Sequence, residues 1–154
     1  MNKKVMPAGR QGFTLIELMV VMSIIGILMA LTLTGISNSR IVARDATRKA
    51  DLLMIAGGLE IYKADCNDYP STITKDQPLK GDGTPASTCL TTNEYIAKVP
   101  KDPLDDARLY RYSRLTATKY EICAALERGT VAVTCFGYTD CGAGQSCNYK
   151  VTSP

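Results

Sequence analysis

The 154-residue chain contains no histidine. General acid–base work by imidazole is thereby excluded, and with it every histidine-based metal site. It also lacks an excess of charge of either sign. Eighteen basic groups face 15 acidic ones. Lys3, Lys4 and Arg10 are the only charges in the first twelve residues, and without them the basic count falls to 15, matching the acidic one. A chain so balanced offers no bulk electrostatic footprint, and no nucleic acid partner is expected. Cysteine is missing from the first 65 residues. The six that follow, Cys66, Cys89, Cys123, Cys135, Cys141 and Cys147, are separated by 22, 33, 11, 5 and 5 residues. These intervals lack the close pairs of zinc sites and contain no C-x-x-C redox motif. An even count confined to the part beyond the apolar segment fits disulfides in an oxidising compartment.

What the chain does have is a long uncharged run. Between Leu18 and Ser39 there are 22 residues without a charged side chain. A helix of that length at about 1.5 Å per residue matches the roughly 30 Å hydrocarbon core of a bilayer. Residues 1–12 in front of it are short and basic. An ordinary secretory signal would carry a shorter apolar core followed by a small-residue cleavage site, and a lipoprotein signal would need a cysteine just after the run. Neither is present, and the sharpest boundary lies before the run, at Gly12-Phe13. Basic residues flank the run on both sides, with Arg40, Arg44, Arg48 and Lys49 following it, so the positive-inside rule does not orient the span. The cysteines do, by placing the C-terminal part outside the cytoplasm. Glu17 is the exceptional residue. A carboxylate at bilayer depth costs roughly 2.5–3.5 kcal/mol and calls for a partner; a location at the interface beside the positive end of the helix dipole is the plainer alternative.

Past Ser39 the helical signal continues. Ile41, Ala46, Leu52, Ile55, Leu59 and Tyr62 form a one-sided apolar stripe, with Arg44, Asp45, Arg48, Lys49 and Asp51 largely off it. No proline intervenes between Phe13 and Asp65, and Pro70 ends the pattern. The reading is one helix of about 53 residues, roughly 80 Å long, apolar all round in its first half and amphipathic in its second. Residues 66–100 are irregular apart from a short apolar piece at 95–99. Tyr110 and Tyr112 then share a face, and Tyr120, Ile122, Ala124 and Leu126 alternate as a half-buried strand. Arg128-Gly129 turns the chain, 131–136 reads as the returning strand, and 148–151 as a last short one. The expected class is α+β: a long N-terminal helix packed against a small antiparallel sheet. The chain divides into a leader (1–12), the transmembrane half of the helix (13–39) and an exported domain (40–154) that includes the amphipathic half (40–66).

Gly12-Phe13-Thr14-Leu15-Ile16-Glu17-Leu18 in front of such a helix resembles the leader junction of type IV pilins and type II secretion pseudopilins. The resemblance implies cleavage by a membrane prepilin peptidase between Gly12 and Phe13, N-methylation of Phe13, and an assembly role for Glu17. The new Phe13 amine would pair with Glu17 of the same chain or of a neighbour, setting the register of a helical filament. It further implies a homo-oligomer, an inner-membrane assembly platform, minor pilins or pseudopilins and membrane lipid as partners. Ile61-Tyr62-Lys63-Ala64-Asp65, Asp68-Tyr69-Pro70-Ser71-Thr72 and the stretch from Tyr95 to Pro103 are similar to the G-type branch of the pseudopilins, over residues 9 to about 126. The role implied is a structural subunit for protein secretion and not an enzyme. A type IV pilin for adhesion, motility or DNA uptake is the alternative. A membrane-anchored, disulfide-rich binding module that never polymerises is a second.

That branch ends in a calcium-binding loop, whereas residues 129–154 here carry cysteine and a single carboxylate, Asp140. Asp102, Asp105 and Asp106 are the remaining calcium candidates, short of the six to eight oxygens the ion takes; no cofactor is expected. Cys66 and Cys89 flank the irregular region and are expected to pair, a closure worth about 3 kcal/mol in the entropic description. The other four cysteines allow three pairings, of which Cys135–Cys141 and Cys123–Cys147 are the expected ones. Cys123 lies on the polar side of its strand, so its bond belongs outside the core. Arg108, Arg111, Arg114 and Lys119 are close in sequence, but strand parity divides them, and a solvated surface is the expectation.

Overall fold

A computed structural model describes residues 12–105 and 107–154, with the side chains of 32–35 outside the description. Helix α1 spans Leu15–Cys66. The chain divides into two compact units, one ending at Ser39 and the other comprising Arg40–Pro154. In the first unit the described apolar side chains from Phe13 to Leu31 are all exposed. Among the described residues no single helix is long and apolar enough to cross a membrane; Leu15–Leu31 and Ile36–Cys66 meet that test only as a pair.

In the second unit the apolar stripe does what its spacing dictates. Leu52, Ile55, Leu59, Tyr62 and Cys66 are buried along one helix face. Gly58 belongs to that face for steric reasons: a Cβ there would lie 2.3 Å from Cγ1 of Ile96, so only glycine lets the following sheet approach. The helix ends where Asn67 turns to a φ of 59°, its N–H still donating to the Lys63 carbonyl at 2.8 Å, an αL cap.

Two sheets cover this face. Strands β1 (Leu79–Lys80) and β2 (Glu94–Ile96) pair antiparallel. Strands β3 (Arg111–Thr116), β4 (Lys119–Ala124) and β5 (Tyr149–Thr152) form an antiparallel sheet in that spatial order. Tyr112, Tyr120, Ile122 and Ala124 join the helix residues in one core, where the Tyr69 and Tyr120 rings meet edge-on at 4.7 Å. The expected α+β class and the strands near 110–126 and 148–151 are therefore present.

Three expectations are corrected. Residues 131–136 do not form the returning strand, because β5 occupies the free edge of β4, with Ile122 opposite Val151 and Ala124 opposite Tyr149. The segment instead crosses the outer face of the sheet. There the Val133 N–H donates to the Cys147 carbonyl at 2.8 Å, and the Phe136 N–H donates to the buried Glu121 carboxylate. That crossing changes the disulfides. Cys66–Cys89 is as expected, but the others are Cys123–Cys135 and Cys141–Cys147, not Cys135–Cys141 and Cys123–Cys147. Cys135 passes directly over Cys123, while Gly142 and Gly144, at φ of 106° and 73°, turn the chain tightly enough to bring Cys147 back to Cys141. Cys123 does lie outside the main core, as its parity requires. It is nevertheless fully buried, in a second cluster with Ala125, Cys135, Cys141 and Cys147. Finally, Ala46 of the proposed stripe is exposed, and Asp45 and Arg48 take the buried position.

Candidate functional site

The start of α1 is built by the sequence Thr14-Leu15-Ile16-Glu17. Thr14 is the N-cap and Glu17 the third helical residue, the spacing of a capping box. Oε2 of Glu17 accepts the Thr14 N–H and the Thr14 hydroxyl, each at 2.8 Å, and the Glu17 N–H donates back to the Thr14 hydroxyl oxygen at 3.3 Å. Glu17 thus satisfies its own helix end in the uncut chain, where Phe13 has no free amine. Phe13 is 90% exposed, and nothing lies within 4 Å of a Cβ built on Gly12. Among the described residues, nothing covers the Gly12–Phe13 bond. Phe13, Ile16, Glu17, Val20 and Val21 line a shallow depression of about 380 Å³, an apolar surface with one carboxylate in it. The rest of the leader, residues 1–11, lies outside the described residues.

A second polar centre ties the Arg40–Pro154 unit together. Arg48 is completely buried. Its Nε and Nη2 donate to the two oxygens of Asp102 at 2.8 and 3.0 Å, and its Nη1 donates to Asp45 at 2.7 Å and Glu127 at 2.8 Å. Arg44, one turn earlier, grips Glu127 with two further bonds at 2.6 and 2.5 Å. Asp45 also accepts the N–H groups of Glu127 and Arg128. The helix, the loop around Asp102 and the turn after β4 are therefore joined through one guanidinium, in the planar fork geometry that arginine alone supplies. Burial works against the charge on Arg48, but the bonds from Asp102, Glu127 and Asp45 outweigh it and raise its pKa. The Glu127 carboxyl is pushed down to about 2, chiefly by its bonds to Arg44.

This hub was not expected from the sequence, which assigned Asp45 and Arg48 to the solvated side. The available signal was the i,i+3 spacing of Asp45 and Arg48, which lets the two side chains meet. Two of the three calcium candidates, Asp102 and Asp105, pair with the chain's own cations. Asp102 serves Arg48 and caps the Leu104 N–H, while Asp105 pairs with Lys75 at 2.6 Å and Lys101 at 3.6 Å; Asp106 lies outside the described residues. The basic residues of 108–119 are dispersed as expected. Arg108 donates to the Ala125 carbonyl, Arg111 to Asp140 and Arg114 to Asp68.

Comparison with known proteins agrees with this division of labour. Residues 7–33 match the prokaryotic N-terminal methylation motif, and residues 36–132 match the family model of type II secretion system (T2SS) protein G. Among curated relatives, the type II secretion system core protein G of Pseudomonas aeruginosa is 38% identical over 96 residues, covering 61% of this chain and 68% of its own. The core protein G of Pectobacterium carotovorum is 33% identical over 99 residues, 61% of this chain and 62% of its own, and that of Vibrio cholerae 33% over 96 residues, 60% and 64%. This chain thus spans roughly two thirds of the length of each, and the protein G family model stops at residue 132, short of the last strand and the Cys141–Cys147 bond. No solved structure matches it. With a methylation motif at its capping box and a protein G match over most of its folded unit, the chain belongs to the type II secretion system protein G family.

Proposed function

We propose that the chain is a pseudopilus subunit, released from its leader by prepilin peptidase at Gly12–Phe13, N-methylated on Phe13 and assembled through α1. The observation that carries this reading is the exposed apolar surface of the helix: every described apolar side chain from Phe13 to Leu31 is exposed, as are Leu53, Met54 and Ile61 further along. A bilayer can satisfy the first group before assembly. Packing against copies of the same helix can satisfy both groups afterwards, by dispersion and burial of roughly 25 cal/mol per Å² wherever apolar surface leaves water. Cleavage creates a cation at Phe13 four residues from Glu17, so the carboxylate can exchange its Thr14 bonds for a charge-assisted one within the chain or to a neighbour.

The role needs no cofactor. An inner-membrane platform and minor pseudopilins are the partners such a filament requires, and membrane lipid houses the subunit before it joins. The family match favours secretion over an adhesive or motility pilus. Glu17→Ala should be cleaved normally but fail to form filaments, scored by intact mass and electron microscopy; normal filaments from this variant would refute the assembly role. Gly12→Ala should leave the leader attached. A mature chain that still begins at Met1 or Asn2 would indicate an anchored module that never polymerises.

A further inference from the structure

The groove between the start of the Arg40–Cys66 segment and the turn after β4 has no part in the assembly argument. Val42, Ala46 and Leu126 supply an apolar lining, Lys49 and Arg128 supply cations, and the space measures about 340 Å³. One anion, Asp45, also borders it, but both its oxygens are engaged: Oδ1 by Arg48 and the Glu127 N–H, Oδ2 by the Arg128 N–H. Glu127 beside it is held by Arg44 and Arg48. The hub's charges are consumed among themselves, and the two cations of the groove are left over. Among the described residues neither Lys49 nor Arg128 enters an ion pair, and both side chains are exposed. The Lys49 ammonium rests 5.6 Å from the centroid of the Tyr149 ring, which positions it without neutralising it.

We infer that this groove binds the headgroup phosphate of an anionic phospholipid in the membrane that holds α1; the inference rests on the anchored-subunit reading above. Sequence position selects that occupant. The uncharged run ends at Ser39, and the groove's helical residues begin at Val42 and end at Lys49. They follow the end of the run by three to ten residues of sequence. The polar layer of a bilayer is roughly 5–8 Å thick on each side. Helical side chains lean toward the N-terminus, and lysine and arginine extend apolar stems with the charge at the tip. Lys49 on the helix and Arg128 in the turn after β4 can therefore present their charges to a phosphate in that layer while Val42, Ala46 and Leu126 meet its glycerol side. Three apolar residues are too few for a protein partner to hold by burial, whereas two unpaired cations complement a phosphate.

The test uses the full mature chain reconstituted into vesicles of pure phosphatidylcholine and into vesicles containing about one third phosphatidylglycerol, with hydrogen exchange read over 40–50 and 124–130. The expected result is slower exchange in both segments only in the anionic vesicles, with an enrichment of phosphatidylglycerol around the chain on the order of several-fold per cation. The double variant Lys49→Ser/Arg128→Ser should abolish the lipid dependence while still resisting carbonate extraction and keeping its three disulfides. Equal exchange in the two vesicle types, or an unchanged lipid preference in the double variant, would overturn the inference. So would the same protection from inorganic phosphate added to neutral vesicles, since the groove would then be a plain anion site. Failure of the wild-type chain to resist carbonate extraction from either vesicle would instead remove the anchored reading on which the inference stands.

Discussion

Replacing Arg48 by methionine tests whether the folded unit is held to its helix by one guanidinium. The side chains of Arg48 and Asp102 are both completely buried, and those of Asp45 and Glu127 are 10% and 14% exposed. Methionine fills most of the volume but leaves three carboxylates around a position with no cation, apart from the half-exposed Arg44. Removing one partner of a buried ion pair typically costs about 3–5 kcal/mol, because the orphaned charge keeps its desolvation penalty. The Glu127 shift gives an independent scale. Moving its carboxyl from 4.5 to about 2 corresponds to about 2 kcal/mol, after allowing for the part of the side chain that remains in water. In the wild type that contribution is complete above pH 4.5 and is lost as the pH falls toward 2, since the folded-state value is depressed. In Arg48→Met the dependence should reverse. Protonation relieves the repulsion among the carboxylates, so the gap to wild type narrows between pH 7 and 4. The assay is guanidinium unfolding of the mature chain in detergent with disulfides intact, followed by the fluorescence of its eight tyrosines. A variant within about 1 kcal/mol of wild type at pH 7, or one whose gap widens on acidification, would refute the reasoning.

Other perturbations test separate contacts. Gly58→Ala gains helix propensity of about 1 kcal/mol, yet its Cβ would lie 2.3 and 2.6 Å from the Ile96 side chain. Overpacking of about 1–3 kcal/mol should win, and a raised melting temperature would show that β2 yields freely. Asn148 accepts the Leu126 N–H at 2.6 Å and donates to the carbonyls of Leu126 and Gly129. Asn148→Ala should therefore cost about 1–3 kcal/mol and speed amide exchange at Leu126 specifically. Peptide mapping under non-reducing conditions should recover Cys66–Cys89, Cys123–Cys135 and Cys141–Cys147. Cys123→Ser/Cys135→Ser should lose about 3 kcal/mol by loop entropy alone, and detection of Cys123–Cys147 would contradict the fold of the C-terminal segment.

The helix, the alternating strand at 120–124 and the short strand at its end could be read from the chain because each is a local pattern: 3.6-residue or two-residue periodicity with proline or glycine at its limits. Glu17 was readable for the same reason, since Thr14-x-x-Glu17 is both a motif and a capping box spanning only four residues. The disulfides show where local reading stops. The spacing of Cys135 and Cys141 suggests a pair, but a strand that is displaced from the sheet edge by β5 must lie across the face of β4, and only that tertiary fact sets Cys135 over Cys123. Val131, 72% exposed, and Phe136, 65% exposed, satisfy a strand pattern without having a strand's edge to join.

Arg48 shows the limit more sharply. Hydrophobic periodicity assigns charged residues to water, and that rule holds only while no counter-charge awaits them. Here Asp102 and Glu127 arrive from 54 and 79 residues away and convert a position that should be solvated into a buried one with four hydrogen bonds to carboxylates. The exchange also explains why Ala46 is exposed: with Asp45 and Arg48 facing inward, the helix at this level is rotated so that its apolar side opens outward, beside Lys49 and Arg128. Burying the charges and baring the small apolar residues are one event, and the groove at Val42 and Ala46 is its consequence.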